Sequence, residues 1–186
     1  MGQIDRLLKN YTRYVELPWA DNLDGRQRIW FGVYPPAEER RLRVQLAAFD
    51  LATKAAGHSW SLVDLTDAFP DWLAGYEHFQ DYLRDPDSLA FGLSDFRLAV
   101  AEKVSASLLH PKADNNSVVA LHGLAGLYGF LKVSEVVDAV AQNIRGRLLV
   151  FFPGEIDKSV YRFLDAREGW NYLATPITCQ ESFIKL

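Results

Sequence analysis

Hydrophobic positions near the amino terminus recur at helical intervals. Ile4, Leu7, Leu8, Tyr11 and Val15 fall on one face, and Pro18 stops the repeat. The spacing predicts an amphipathic helix within residues 1–17, laid against the rest of the chain. The pattern then changes: "RIWFGVY" (Arg28 to Tyr34) is a compact β-branched and aromatic run ended by Pro35 and Pro36, as a buried strand would be. From Ala37 to Ala56 the spacing of Leu42, Leu46 and Phe49 is helical again, with Pro36 fit for the start and Gly57 for the carboxyl cap. His58 to Leu65 alternates as a second strand. "FPDWLAGYEHFQDYLRDPDS" is aromatic-rich and, broken by Pro70 and Pro86, predicts short helices.

Ser94 is placed to cap a helix carrying Phe96, Val100, Val104 and Leu108, after which "HPKADNNS" reads as a polar loop. A third strand is expected from Val118 to Leu121. Ser134 then caps a helix presenting Val136, Val137, Val140 and Ile144, ended by Gly146, and "RLLVFFPGE" supplies a fourth strand. A short helix around Ser159 to Leu164 and a last extended run, "WNYLATPIT", complete the alternation, with residues 179–186 expected to form a flexible end. Strands apolar on both sides and separated by helices imply an α/β fold: one three-layer domain over residues 1–186, with a mainly parallel sheet of about five strands flanked by helices.

Composition changes this picture little and the range of functions more. The 186 residues are 49% hydrophobic and 24% charged, ordinary for a globular chain, and no apolar stretch approaches the roughly 20 residues of a bilayer span. The opening is charged and lacks the apolar core of a signal peptide. A lone cysteine, Cys179, fits a reducing compartment, and together these predict a cytoplasmic protein. A net charge of -4 disfavours autonomous tight binding to nucleic acid, whose backbone selects for clustered positive charge. The densest basic stretch, "EERRLR" from Glu38 to Arg43, reads as a solvated helix face with its acids at the positive end.

The chemistry-bearing candidates are few. Gly123, Gly126 and Gly129 form a ladder, but not the G-x-G-x-x-G of a dinucleotide turn, and they follow the third strand rather than the first. Where a phosphate loop would sit, after the first strand, the chain reads "YPPAEERRL": prolines remove amide donors and the acids repel phosphate. The glycines are therefore expected to permit a tight strand exit and close backbone packing. His122 with Gly123, and Gly154 with Glu155, are expected at carboxyl ends of strands, where ligands of open α/β sheets bind; a histidine and a carboxylate there could do acid–base work. His58, His78 and His110 are scattered, no nucleophile elbow or zinc spacing occurs, and neither cofactor nor metal is expected. Phe69, Trp72, Tyr76 and Phe79 would form a partner-binding patch if the domain leaves them uncovered.

"VVALHGLAGLYGFLKVSEVV" followed closely by "RLLVFFPGE" resembles the BrxB family, small proteins of BREX bacteriophage-defence systems; "IWFGVYPP" fits more loosely. The resemblance covers most of the chain, with its specificity in Val118 to Glu155. It implies a non-enzymatic accessory protein that associates with a PglZ-like protein and other BREX components, supporting host DNA methylation and phage restriction. The expected fold also looks like a P-loop NTPase core stripped of its phosphate loop. A rival reading is a small nucleotide-binding or catalytic regulator working through His122 and Glu155, and a homodimer stays open as an assembly.

Overall fold

The computed structural model describes residues 1–77, 79–157, 160–164, 170–171 and 174–180. Two runs that read as continuous apolar strands are buried along their whole length: β1 (Ile29–Tyr34) and β3 (Ser117–His122). A third, β4 (Arg147–Asp157), is buried up to Gly154. Burial on both faces explains why these strands show no polar alternation. With β2 (Ser59–Asp64) and β7 (Thr175–Thr178) they make a parallel sheet in the order β2-β3-β4-β1-β7. The fold is thus α/β with a mainly parallel sheet flanked by helices.

Alternate residues of these strands supply two cores. On one face α1 (Gln3–Val15) and α2 (Glu39–Ala55) pack Ile4, Leu7, Tyr11, Leu42 and Phe49 over Trp30, Tyr34, Val118, Ala120, Leu149 and Phe151. On the other, α5 (Leu93–Leu108) and α6 (Val133–Val140) set Phe96, Val100, Val104, Val136 and Val140 against Phe31, Val33, Val119, Leu121, Leu148 and Val150. Between β2 and α5 lie α3 (Ala68–Gly75), α4 (Phe79–Arg84) and a 3-10 turn over Pro86–Phe91. Among the described residues no helix is long and apolar enough to cross a membrane.

Several local expectations change. The helix expected around Ser159 to Leu164 is instead a strand, β5 (Val160–Phe163), antiparallel to the end of β4; Ser159 lies outside the described residues. Its period is two: Tyr161 and Phe163 are buried while Val160 and Arg162 face out, and Tyr161 packs on Phe31 and donates its hydroxyl to the Ala174 carbonyl. A short β6 (Trp170–Asn171) extends this hairpin. Ser94 and Ser134 each sit one residue inside their helices, whose caps are Gly92 and Lys132. α6 ends at Val140 and a 3-10 turn over Ala141–Asn143 intervenes well before Gly146. Pro70 falls in the first turn of α3, where its missing N–H has no helical acceptor, and so does not break the segment.

Other expectations hold. Pro36 opens a 3-10 turn that leads into α2, and the end of α2 is closed by a Schellman pair, with Gly57 N–H bonding Lys54 O and His58 N–H bonding Thr53 O. Of the expected flexible end, Cys179 and Gln180 are held by α1. Arg6 Nε donates to the Cys179 carbonyl at 3.0 Å, and Asn10 Nδ2 donates to those of Thr178 and Gln180 at 2.8 and 2.6 Å. Residues 181–186 lie outside the described residues.

Candidate functional site

The carboxyl ends of β1, β2 and β3 bring a polar cluster together. Parallel pairing puts Asp64 beside His122 in register, and both side chains point toward the α2 face, as alternation from Val63 and Leu121 in the opposite core requires. Beyond β1, the Pro35–Pro36 turn delivers Glu39 as the first residue of α2. The imidazole of His122 is 3% exposed, with Nε2 3.2 Å from Glu39 Oε1 and Nδ1 3.4 Å from Asp64 Oδ1. Neither contact is aligned as a hydrogen bond, so the imidazole is held between the two carboxyl groups by proximity.

Glu39 is the hub. It accepts the Tyr34 hydroxyl on Oε2 and Arg43 Nε on Oε1 at 3.1 Å, and Arg43 Nη2 reaches Thr66 Oγ1 at 3.5 Å. The contact with His122, helped by Tyr34 and Arg43 and opposed by burial, lowers its pKa to about 2. Burial and the neighbouring carboxylate push the Tyr34 phenol far upward. For Asp64, burial acts to raise the pKa but is outweighed by bonds from Thr66 and the proximity of His122, so the carboxyl titrates below its ordinary value. Glu39 is therefore not part of a solvated helix face.

The glycine ladder resolves as a turn. Gly123 adopts φ +81° directly after β3, and a Cβ there would lie 2.4 Å from Thr66 N; at Gly126 it would lie 2.5 Å from Thr66 O. The turn is pressed against the exit of β2, leaving the backbone no room to approach a phosphate on that side. Both ring nitrogens of His122 face carboxylates, whereas a general base needs one nitrogen turned to its substrate. The carboxylates stand on opposite nitrogens rather than converging on one point. Among the described residues no group of three or more His, Cys, Asp or Glu side chains is placed to hold a metal ion.

Glu155 is engaged elsewhere. It is largely exposed and pairs across the hairpin with Arg162, with Nη1 at 3.6 Å. Gly154 lets the hairpin close, since a Cβ there would meet the Arg162 carbonyl. Sequence reasoning found His122 and Gly123 but missed Glu39, Asp64 and Tyr34, because the juxtaposition depends on strand register. The available signal was that three successive strands each end in a polar, titratable side chain.

Three of the aromatic candidates, Phe69, Trp72 and Tyr76, form a shelf of ring contacts along α3 and just past its carboxyl end. Phe69 stacks on Phe130 at 3.7 Å and meets Phe96 edge-on; Trp72 lies against Phe96 and Tyr76, and Tyr76 stacks on Tyr82 and donates to Asp95. Phe69, Trp72, Tyr76 and Phe79 are each half-buried. Phe91, which sequence reasoning did not single out, is 85% exposed. It precedes Gly92, where a Cβ would touch the Tyr82 hydroxyl and the Trp72 ring. Leu98 is also exposed nearby in sequence, on α5, whereas Leu127 of the glycine turn is fully buried. His58 stacks on Trp19 at 3.8 Å, and His78 lies outside the described residues. Compared with protein-family models, with curated proteins and with solved structures, the chain matches none.

Proposed function

We propose that this chain is a non-enzymatic accessory protein of a BREX-type defence system, acting in the cytoplasm by binding a PglZ-like partner so as to support host DNA methylation and phage restriction. The motif resemblance over Val118 to Glu155 suggests the system, and the observation that carries the adaptor reading is Phe91. A phenylalanine 85% exposed beside a half-buried aromatic shelf is the arrangement of an interface anchor, because aromatic side chains dominate binding energy where a partner can desolvate them. The strand ends support the same reading: His122 is enclosed by Glu39 and Asp64, and the Gly123–Gly126 turn is packed on Thr66.

We read the sheet as a P-loop NTPase-like core that has lost its phosphate site. β1 lies inside the sheet and passes directly into α2, the strand–loop–helix junction at which a phosphate loop would stand. Here that junction holds two prolines and an ionised Glu39. The rival regulator reading would need His122 and Glu155 to cooperate, and each is committed to different partners.

Co-purification with the PglZ-like protein encoded alongside tests the proposal. The wild type should co-elute at gentle salt, and Phe91→Asp, folded by circular dichroism, should weaken association at least 10-fold, in keeping with about 2 kcal/mol for an aromatic anchor. No association of a folded wild type would overturn the PglZ assignment, and full retention by Phe91→Asp would overturn the shelf as its site.

A further inference from the structure

The two edges of the sheet are finished differently. At one end β7 carries Pro176, which has no N–H to offer an incoming strand, and α1 holds the residues that follow. At the other end β2 reads Ser59–Asp64, "SWSLVD", with neither proline nor lysine, and pairs only with β3 among the described residues. Its helical neighbours leave it uncovered enough that Leu62 is 42% exposed.

The bonding direction of β2 can be read residue by residue. Ser59 N–H donates to Asn116 O and Leu65 N–H to His122 O, so odd-numbered residues direct their backbone groups to β3. In a strand these directions alternate. The N–H and C=O groups of Trp60, Leu62 and Asp64 therefore face outward, an unpaired row of donors and acceptors. Charge also alternates from end to end. Asp64, 62% exposed, and Asp67 stand at the carboxyl end; exposed Lys112, whose carbonyl accepts the Ser59 hydroxyl, stands at the amino end with His110. Between β2 and the last turns of α5 lies a groove of about 410 Å³ lined by Ser59, Ser61, Ala106 and Lys112.

We infer that β2 is the interface of a homodimer, in which two copies join their sheets by antiparallel β2–β2 pairing about a twofold axis at Leu62. The parity of the outward groups allows Leu62 to pair with its own copy and Trp60 with Asp64 of the other chain. Antiparallel pairing sets the acidic end of one strand against the basic end of its copy, which parallel pairing would not. Apolar Leu62 side chains meet across the axis. Because Pro176 blocks the far edge, the assembly closes at two chains instead of growing as a fibre.

Mass measurement by light scattering across micromolar to millimolar concentration should give twice the 21.1 kDa of the chain. Leu62→Lys, a surface change on an edge strand, should halve that mass without altering the circular dichroism. To fix the register, a short bis-maleimide should cross-link Leu62→Cys into a covalent dimer in a Cys179→Ser background. It should leave Ser59→Cys single, since the axis separates those positions by ~20 Å at about 3.3 Å per residue. A wild type monomeric throughout overturns the inference. So does a dimer that survives Leu62→Lys, or one that cross-links through Ser59→Cys rather than Leu62→Cys.

Discussion

Glu39 concentrates the electrostatics of the strand ends in one carboxylate. His122, Tyr34 and Arg43 all favour its charged form and only burial opposes them, so folding lowers its pKa from 4.5 to about 2. A carboxyl depressed in the folded state contributes stability that is complete above the unfolded value and is lost as pH falls through the folded one. Urea unfolding of the wild type and of Glu39→Gln should therefore differ most above pH 4.5 and converge as pH approaches about 2. Curves that stay parallel through that window would mean that Glu39 is not held charged by its neighbours. Comparing the two proteins at each pH removes the acid sensitivity of carboxylates distant from His122, though not that of Asp64, which shares the imidazole with Glu39.

Among the elements, the turn after β3 separates two demands that glycine can meet. Gly129 has φ +83° with open space around it, Gly126 has a close neighbour in the Thr66 carbonyl, and Gly123 has both a left-handed φ and a close neighbour. A side chain in the left-handed region costs about 1–2 kcal/mol, and forcing an atom into packed surroundings about 1–3 kcal/mol. Alanine at Gly123 should consequently lower the urea midpoint more than alanine at Gly126 or at Gly129, and a Gly129→Ala variant less stable than Gly123→Ala would refute the packing account. This turn was legible in sequence because the missing partners of a phosphate loop are local. β1, β3 and β4 were legible because burial on both faces leaves an unbroken apolar run. β5 was not: four residues give a helix and a strand equal claim, and only the antiparallel register with Gly154–Asp157 decides. The His122 cluster was half legible, since the histidine is marked by its strand, while Asp64 and Glu39 reach it through pairing across β2 and β3 and through the path of α2.

For the molecule as a whole, the two cores are joined by the alternation of single strands. Trp30 and Tyr34 belong to the α1–α2 side, while Phe31 and Val33, interleaved with them, belong to the α5–α6 side; β3 and β4 divide their residues in the same way. A strand cannot leave one core while its next residue stays in the other, so the layers should unfold together. Trp30 and Trp72 report on the two sides: Trp30 is buried under α1, and Trp72 packs against Phe96 of α5. In protein labelled with fluorotryptophan, with resonances assigned by single Trp→Phe substitutions, the fluorine signals of Trp30 and Trp72 should lose native intensity at the same urea concentration. Separate midpoints, with Trp72 lost first, would instead make the aromatic segment between β2 and α5 an independently opening unit. The shelf proposed to bind a partner would then be drawn from the least stable part of the fold.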